Sequence, residues 1–142
     1  MVYLLDVNVL IALADPAHVQ HEAAHGWFGS GGSSSFATCP LTENGLLRIV
    51  GNPRYPNLPG TPAAAAGILA ALRALPGLHF WPDDISAMDT RCLDTTRLLS
   101  QGQVKDSCLL ALAVAHGGKL ATLDRRLATD VVVQGAAALH VI

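Results

Sequence analysis

Strand-like and helix-like blocks alternate from the first residue of the chain. Residues 1–5 are mostly apolar and rich in strand-favouring types, and they run straight into Asp6. After Asn8 the pattern changes to an alanine-containing apolar stretch that ends at Asp15, and this pattern favours a helix. In an open parallel sheet, ligands bind just beyond the carboxyl ends of the strands. Asp6 is therefore placed for chemistry rather than for packing.

The remaining blocks continue the alternation of strands and helices. Strands are predicted over residues 35–39, 78–81, 120–123 and 139–142. Helices are predicted over residues 17–28 with Asp15 and Pro16 at its start, 41–50 opened by Pro40, 62–75, 84–100 and 105–116. Residues 51–61 form an irregular loop, and residues 131–133 fit either a strand or a buried connection. The pattern predicts a single domain over residues 1–142, a three-layer α/β/α sandwich with a central, mainly parallel sheet.

Four acidic residues should meet at one edge of this sheet. Asp6 and Asp124 follow predicted strands, whereas Glu43 and Asp106 lie in the first turns of predicted helices. A helix that joins two parallel strands runs antiparallel to them, so its first turn lies at the carboxyl edge of the sheet. If the first and fourth strands are neighbours, their ends lie about 4.8 Å apart, and Asp6 and Asp124 can share a ligand.

Carboxylates crowded at one edge must take up protons or bind cations. Magnesium and manganese prefer oxygen ligands and are commonly held by one or two carboxylates each, so one or two such ions would suit four acids. An acidic group that holds such ions indicates an enzyme that hydrolyses the backbone of a nucleic acid. A carboxylate in the first turn of a helix also stabilises the helix by up to ~1 kcal/mol without any function. Four of the eleven acids on one edge exceed what capping alone explains.

Composition narrows the class of protein. Hydrophobic residues make up 51% and charged residues 14%, as in a folded chain, and the formal charge of −2 excludes a generally basic nucleic-acid coat. The three cysteines are too far apart for a disulfide framework or a zinc site and are interpreted as buried apolar residues. No apolar run approaches the roughly 18 residues of a membrane span. We therefore expect a soluble, cytoplasmic protein.

Four segments carry a family resemblance. Residues 5–11, 42–43, 104–107 and 117–127 resemble the PIN domain, specifically the VapC ribonuclease toxins of toxin–antitoxin pairs. The resemblance implies the α/β/α fold with a parallel sheet, a homodimer, and inhibition by a cognate VapB-type antitoxin whose tail occupies the acidic groove. It implies a catalytic quartet that binds Mg²⁺ or Mn²⁺, formed by Asp6, Glu43, Asp106 and Asp124. It also implies a supporting role for Asn8 and Thr122.

Basic residues near the acids are candidate contacts to RNA phosphate. The candidates are Arg48, Arg54, Lys105, Arg125 and Arg126. Lys105 departs from the resemblance, because a small, polar or apolar residue commonly precedes the third acid. It can contact phosphate, pair with a neighbouring acid, or be solvated at the start of a helix. Asp89, on the preceding predicted helix, is a weaker candidate for an accessory acid.

The helix predicted over residues 17–28 carries His18, His21 and His25 on one face. We assign them to packing or partner contact rather than to metal binding, because the carboxylate chemistry does not need them.

The sequence predicts a metal-dependent endoribonuclease toxin that cuts structured RNA, such as tRNA or rRNA. One alternative is a non-catalytic module of the same fold that binds RNA or protein. A less favoured alternative is an aspartate-based phosphatase, since that chemistry wants a second aspartate two residues after Asp6, where this chain has Asn8.

Overall fold

The computed structural model describes residues 1–57 and 60–142. Its five strands form one sheet in the order β3-β2-β1-β4-β5, and every neighbouring pair is parallel. The strands are β1 Tyr3–Leu5, β2 Phe36–Thr38, β3 Leu78–Phe80, β4 Lys119–Thr122 and β5 Leu139–Val141. The α-helices are α1 Val7–Ala14, α2 His21–Gly29, α3 Pro40–Val50, α4 Pro62–Arg73 and α5 Gly102–Ala115. The predicted three-layer α/β/α sandwich is confirmed.

The first strand occupies the centre of the sheet. β1 pairs with β2 on one side and with β4 on the other. The first and fourth strands are therefore neighbours, which is the condition for Asp6 and Asp124 to share a ligand. Leu5 lies opposite Ala121, so the chain leaves β1 at Asp6 beside Thr122, the last residue of β4. The Asp6 amide extends the ladder by donating to the Ala121 carbonyl at 2.9 Å. The first acid is therefore fixed at the carboxyl edge by the sheet itself.

Successive strand residues point to opposite faces and fill two cores. Leu5 and Ala121 pack on one face against helices α1 to α4. Leu4 and Leu120 pack on the other face against α5 and the segments before and after it. Within the described residues, no helix has both the length and the apolar character needed to cross a bilayer.

Helices α3 and α4 form an antiparallel pair on the first of these faces. Pro40 opens α3, and Thr61 caps α4 by accepting a hydrogen bond from the Ala64 amide at 3.2 Å. Gly51, just after α3, lies against Pro62 at the start of α4. The end of α4 therefore returns to the beginning of α3, at the carboxyl edge of the sheet.

The helix predicted over residues 84–100 does not form. This segment is a series of turns with a short 3₁₀ helix at Thr95–Arg97, and Leu93 makes an antiparallel bridge to Val132. The side chains of Asp89 and Asp94 accept hydrogen bonds from backbone amides two residues ahead, at 3.0 and 3.1 Å. Such local bonds compete with helix formation. Residues 131–133 are thus a connection held by a single bridge.

The second helix begins later than predicted. It starts at His21, because Asp15 closes α1 and turns the chain by accepting a hydrogen bond from the Ala17 amide at 2.9 Å. His18 therefore precedes the helix and does not share a face with His21 and His25. The three histidines form no common cluster, although the rings of His21 and His25 stack 5.4 Å apart.

The start of α5 also differs from the prediction. Helix α5 begins at Gly102, so Asp106 lies in its second turn rather than its first. The capping explanation for Asp106 is weaker for that reason, since the dipole acts mainly within the first turn. The loop predicted over residues 51–61 is irregular where it is described, and residues 58 and 59 lie outside the described residues.

Candidate active site at the carboxyl edge of the sheet

Asp6 is the buried centre of the site. Its side chain is 1% exposed. As the N-cap of α1, it accepts a hydrogen bond from the Val7 amide on Oδ1 at 2.7 Å, and Oδ2 accepts one from the Thr122 hydroxyl at 2.8 Å. The Lys105 ammonium lies 3.3 Å from Oδ1. The carboxylate is thus held between the helix start, the neighbouring strand and a cation.

The sequence-predicted polar pair, Asn8 and Thr122, lies beside Asp6. The Asn8 Nδ2 donates to the Thr122 hydroxyl oxygen at 3.1 Å, and Asn8 Oδ1 accepts from the Leu123 amide at 3.1 Å. The same hydroxyl accepts from the Asp124 amide at 3.1 Å. These bonds join α1 to the end of β4 and orient the Asp6 carboxylate between them.

Asp106 meets Asp6 through Lys105. The Lys105 ammonium lies 3.1 Å from Asp106 Oδ1 as well as 3.3 Å from Asp6 Oδ1. Burial raises the pKa of the Asp106 carboxyl, Lys105 lowers it, and the negative charges of Asp6 and Asp124 raise it further, so the pKa lies above its usual value. Burial opposes the charge on Lys105, but Asp6 and Asp106 outweigh it and hold the pKa of Lys105 above its usual value. Of the three predicted alternatives for Lys105, the structure shows pairing with neighbouring acids.

Asp124 lies two residues after Thr122, the last residue of β4, and is exposed. Its Oδ1 accepts a hydrogen bond from the Arg126 amide at 2.8 Å, which fixes the turn after the strand. Its negative charge adds a small contribution to the pKa of Asp106, which is raised mainly by burial. Asp6, Asp106 and Asp124 therefore form one electrostatic group.

Glu43 lies at the same edge but has its own partners. The Thr38 hydroxyl, at the end of β2, donates to Glu43 Oε2 at 2.7 Å, and Arg73 Nη1 lies 3.3 Å from Oε1. The Arg73 guanidinium also lies 5.1 Å from the centre of the Phe80 ring. Glu43 is therefore paired with a cation that does not contact Asp6.

Sequence reasoning did not select Arg73. The order of helices α3 and α4 could have indicated it. If α4 packs antiparallel to α3, its last residues lie beside the start of α3, where Glu43 is. The predicted accessory acid, Asp89, is bound to Arg91 at 2.9 Å instead.

The basic residues predicted to contact RNA divide into two groups. Arg125 and Arg126 are exposed and follow Asp124 at the carboxyl edge. Arg48 and Arg54 are also exposed, but they lie near and beyond the opposite end of α3 from Glu43. Only Arg125, Arg126 and Lys105 thus lie beside the acids.

The donor set suits a hard divalent cation. The carboxylate oxygens of Asp6, Asp106 and Asp124 are of the type that Mg²⁺ and Mn²⁺ prefer. Burial is the main cause of the raised pKa of Asp106, and the negative charges of Asp6 and Asp124 add to it. Among residues 1–57 and 60–142, no three side chains of His, Cys, Asp or Glu lie in a ready ion-binding arrangement. Lys105 bridges Asp6 and Asp106, and Arg73 binds Glu43. The residues fit the ion by chemistry and charge.

A buried hydroxyl next to Asp106 has no partner. Ser107 is 1% exposed, and its Oγ makes no hydrogen bond in the described structure. An unpartnered buried polar atom is uncommon and costs stability, and it often marks a site with an additional role.

Comparison with known proteins places this architecture in a family. The PIN domain family matches residues 3–130. Ribonuclease VapC44 of Mycobacterium tuberculosis is 42% identical over 137 residues, which cover 96% of this chain and 95% of that protein. Ribonuclease VapC39 of the same organism is 44% identical over 128 residues, which cover 90% of this chain and 92% of that protein.

A solved structure has the same fold at low sequence identity. It is that of VapBC2 from Rickettsia felis bound to a DNA fragment from their promoter, and the matched chain superimposes with a TM-score of 0.57 at 13% identity. The match covers 87% of this chain and 89% of that one. Taken with the carboxyl-edge acids, the family match and the VapC relatives establish that this chain is a PIN-domain protein of the VapC ribonuclease family.

Proposed function

We propose that the protein is a metal-dependent endoribonuclease that hydrolyses RNA phosphodiester bonds as the toxin of a type II toxin–antitoxin pair. The observation that carries the proposal is that Asp6 and Asp106, far apart in the sequence, both contact one cation, the Lys105 ammonium. Two VapC ribonucleases that resemble the chain over at least 90% of its length support the activity.

Asp6, Asp106 and Asp124 are the residues proposed to hold Mg²⁺ or Mn²⁺, with Glu43 as the fourth acid of the catalytic group. A divalent ion held by these residues would activate water and offset the charge that develops on the phosphate. Asn8 and Thr122 keep the Asp6 carboxylate oriented through the bonds described above. Arg125 and Arg126 are the proposed contacts to phosphates beside the cleaved bond.

The phosphatase alternative requires a second acid that this chain lacks. Asn8 stands where that chemistry wants an aspartate, and both ends of its amide are used, one by Thr122 and the other by the Leu123 amide. Asn8 therefore serves the support of Asp6 and is not available as a proton donor.

Cleavage of total cellular RNA tests the activity. We expect purified protein with Mg²⁺ or Mn²⁺ to cut structured RNA, such as tRNA or rRNA, at few sites, which sequencing of new RNA ends would map. Asp106→Asn and EDTA should each abolish the cuts. Asp130→Asn is the matched control, because Asp130 is exposed and lies near Met1 and Lys119, at the amino edge of the sheet.

Cuts that persist in Asp106→Asn would reject Asp106 as a catalytic residue. A folded protein that binds Mn²⁺ but cuts no cellular RNA would favour the non-catalytic alternative, in which the same fold serves only to bind RNA or protein.

We also propose a cytoplasmic homodimer that a VapB-type antitoxin inhibits. The fold shared with VapBC2 of Rickettsia felis and the VapC relatives support this partner. Expression of the chain alone should arrest bacterial growth in an Asp106-dependent manner, and co-expression of the antitoxin should relieve the arrest. Sedimentation equilibrium would report the dimer, and a monomer at micromolar concentration would contradict it.

A further inference from the structure

The Lys105 ammonium lies inside the acidic site rather than at its margin. It lies 3.3 Å from Asp6 Oδ1 and 3.1 Å from Asp106 Oδ1, so that one cation bridges the end of β1 and the second turn of α5. Asp6 is 1% exposed, and Lys105 is 43% exposed. The ammonium thus binds a buried carboxylate on one side and reaches solvent on the other.

Charge in the site divides into two groups. Glu43 is paired with Arg73 and carries no net charge as a pair. The charges of Asp6 and Asp124 both act on Asp106, and among the described residues Lys105 is the one side-chain cation bonded to this group. Three carboxylates and one ammonium leave two negative charges, which a single divalent ion neutralises.

The ammonium also keeps a donor for the substrate side. A lysine side chain has three N–H donors, of which one is donated to Asp6, and the same ammonium forms an ion pair with Asp106 at 3.1 Å. The Lys105 side chain is 43% exposed, so a phosphate oxygen can approach the ammonium from the solvent side. A two-ion nuclease site places positive charge on both the attacking and the leaving oxygen of the phosphate. Lys105 is placed to supply one of these charges.

We propose that Lys105 is a built-in cation of the active site, so that the site takes one divalent ion and the lysine supplies the charge that a second ion would bring. This inference rests on the metal-dependent ribonuclease proposed above. It assigns Lys105 to the binding of the reacting phosphate, a narrower role than general contact with RNA. It also predicts that removing the ammonium opens the site to a second ion.

Calorimetric titration with Mn²⁺ tests the inference without measuring activity. The metal-free wild-type chain should bind one Mn²⁺ per chain, and Lys105→Met should bind two. Lys119→Met is the matched control, since Lys119 is the other lysine of the chain and lies at the amino end of β4. It should bind one ion, as should Lys105→Arg, which keeps a cation. Circular dichroism verifies that each variant is folded, and Lys105→Gln replaces Lys105→Met if that variant does not fold.

The outcomes separate this inference from the proposed function. Two ions in the wild-type chain, or one ion in the folded neutral variants, would overturn the role of Lys105 and leave a metal-dependent nuclease intact. No binding by the wild-type chain would overturn both. Asp106→Asn should lose the tight ion, and if it binds Mn²⁺ as the wild-type chain does, the titrated site is not the one described here and the inference fails.

Discussion

At the scale of single residues, the Thr122 hydroxyl joins most of the polar groups of the site. It donates to Asp6 Oδ2 and accepts from Asn8 Nδ2 and the Asp124 amide. Thr122 is fully buried, so water does not replace these partners when the hydroxyl is removed. Its position therefore decides the orientation of the central carboxylate.

Replacing Thr122 with Val should cost stability and activity together. The change keeps the shape of the side chain but removes a partner of the buried Asp6 carboxylate and of the partly buried Asn8 amide, at a cost of about 1–3 kcal/mol. Loss of support for Asp6 should lower the cleavage rate by about 10- to 100-fold. Urea unfolding and cleavage assays measure the two effects. Thr122→Ser should restore most of both, and equal activity in the Val and Ser variants would show that the hydroxyl does not orient Asp6.

Sequence patterns predicted the neighbours of Asp6 but not its cation. The strand-end positions of Asp6 and Thr122 place them side by side in any sheet that pairs β1 with β4. The direction in which the Lys105 side chain points depends on where α5 starts and how it is rotated about its axis. The sequence pattern predicted that start three residues too late. A single residue of helix phase turns a side chain by about 100°, so the sequence left the role of Lys105 open.

At the scale of elements, the contact between α1 and α3 sets the distance between two parts of the site. Gly45 of α3 lies against Val7, the residue after Asp6, and a Cβ added at Gly45 would lie 2.7 Å from Val7 Cγ2. This separation is shorter than side chains tolerate. The glycine therefore allows the helix that carries Glu43 to approach the helix that Asp6 caps.

Gly45→Ala should push α1 and α3 apart and reduce both stability and cleavage. Overpacking of this kind costs about 1–3 kcal/mol. Gly67→Ala in α4 is the matched control, because nothing lies within 4 Å of its added Cβ, and it should stabilise the chain by about 0.5–1 kcal/mol through helix propensity. Thermal unfolding distinguishes the two. Equal melting temperatures in both variants would contradict the close approach of α1 to α3.

The junction after α1 predicts a pH dependence of stability. Asp15 is buried and accepts hydrogen bonds from the Tyr55 hydroxyl at 2.6 Å and from Asn57 Nδ2 at 3.0 Å. Burial alone raises the pKa of Asp15, but these bonds, the Ala17 amide and His18 outweigh it, so the pKa lies below its usual value. The same contact and burial raise the pKa of Tyr55 to about 12.

A carboxyl whose pKa is lower in the folded state than in the unfolded state stabilises the fold at pH values above its unfolded pKa, about 3.9. This stabilisation is lost as the pH falls through the pKa of the folded state. Asp15→Asn should therefore lower the free energy of unfolding by about 2 kcal/mol at pH 7. The difference from the wild-type chain should stay constant down to about pH 5 and shrink below pH 4. Urea titrations at several pH values measure it, and a difference that grows on acidification would contradict this sign.

Element boundaries show where sequence periodicity is insufficient. Apolar residues at helical spacing predicted a helix over residues 84–100. Instead, Asp89 and Asp94 accept hydrogen bonds from nearby amides, and Leu93 forms a bridge to Val132, which is distant in the sequence. Asp15 likewise forms a local turn where a helix start was predicted. Local hydrogen bonds to aspartate side chains and a bridge between distant residues determine the structure of these segments. Hydrophobic periodicity contains no information about either. The strands and the helices α1, α3, α4 and α5 were predicted because their apolar runs are bounded mainly by proline, glycine or acidic residues.

At the scale of the whole molecule, the net charge of −2 makes RNA binding depend on local charge at the carboxyl edge. Arg125, Arg126 and the exposed side of Lys105 supply positive charge beside the acids. The fold brings together acids from across the chain, which no single segment contains, and the order of strands and helices was sufficient to predict that meeting. The pairing of Glu43 with Arg73 needed the packing of two helices as well.

The most direct test of the account is the single-turnover cleavage rate of the mapped RNA fragment, measured across a range of Mn²⁺ concentrations. For the wild-type chain, the rate should be negligible without metal and should rise to saturation. Asp106→Asn should be at least about 100-fold slower at every concentration, because the loss of a metal-stabilised charge costs several kcal/mol, and Asp130→Asn should match the wild-type chain. A wild-type rate that is independent of Mn²⁺, or an Asp106→Asn rate equal to that of Asp130→Asn, would contradict the assignment of this edge as a metal-dependent ribonuclease site.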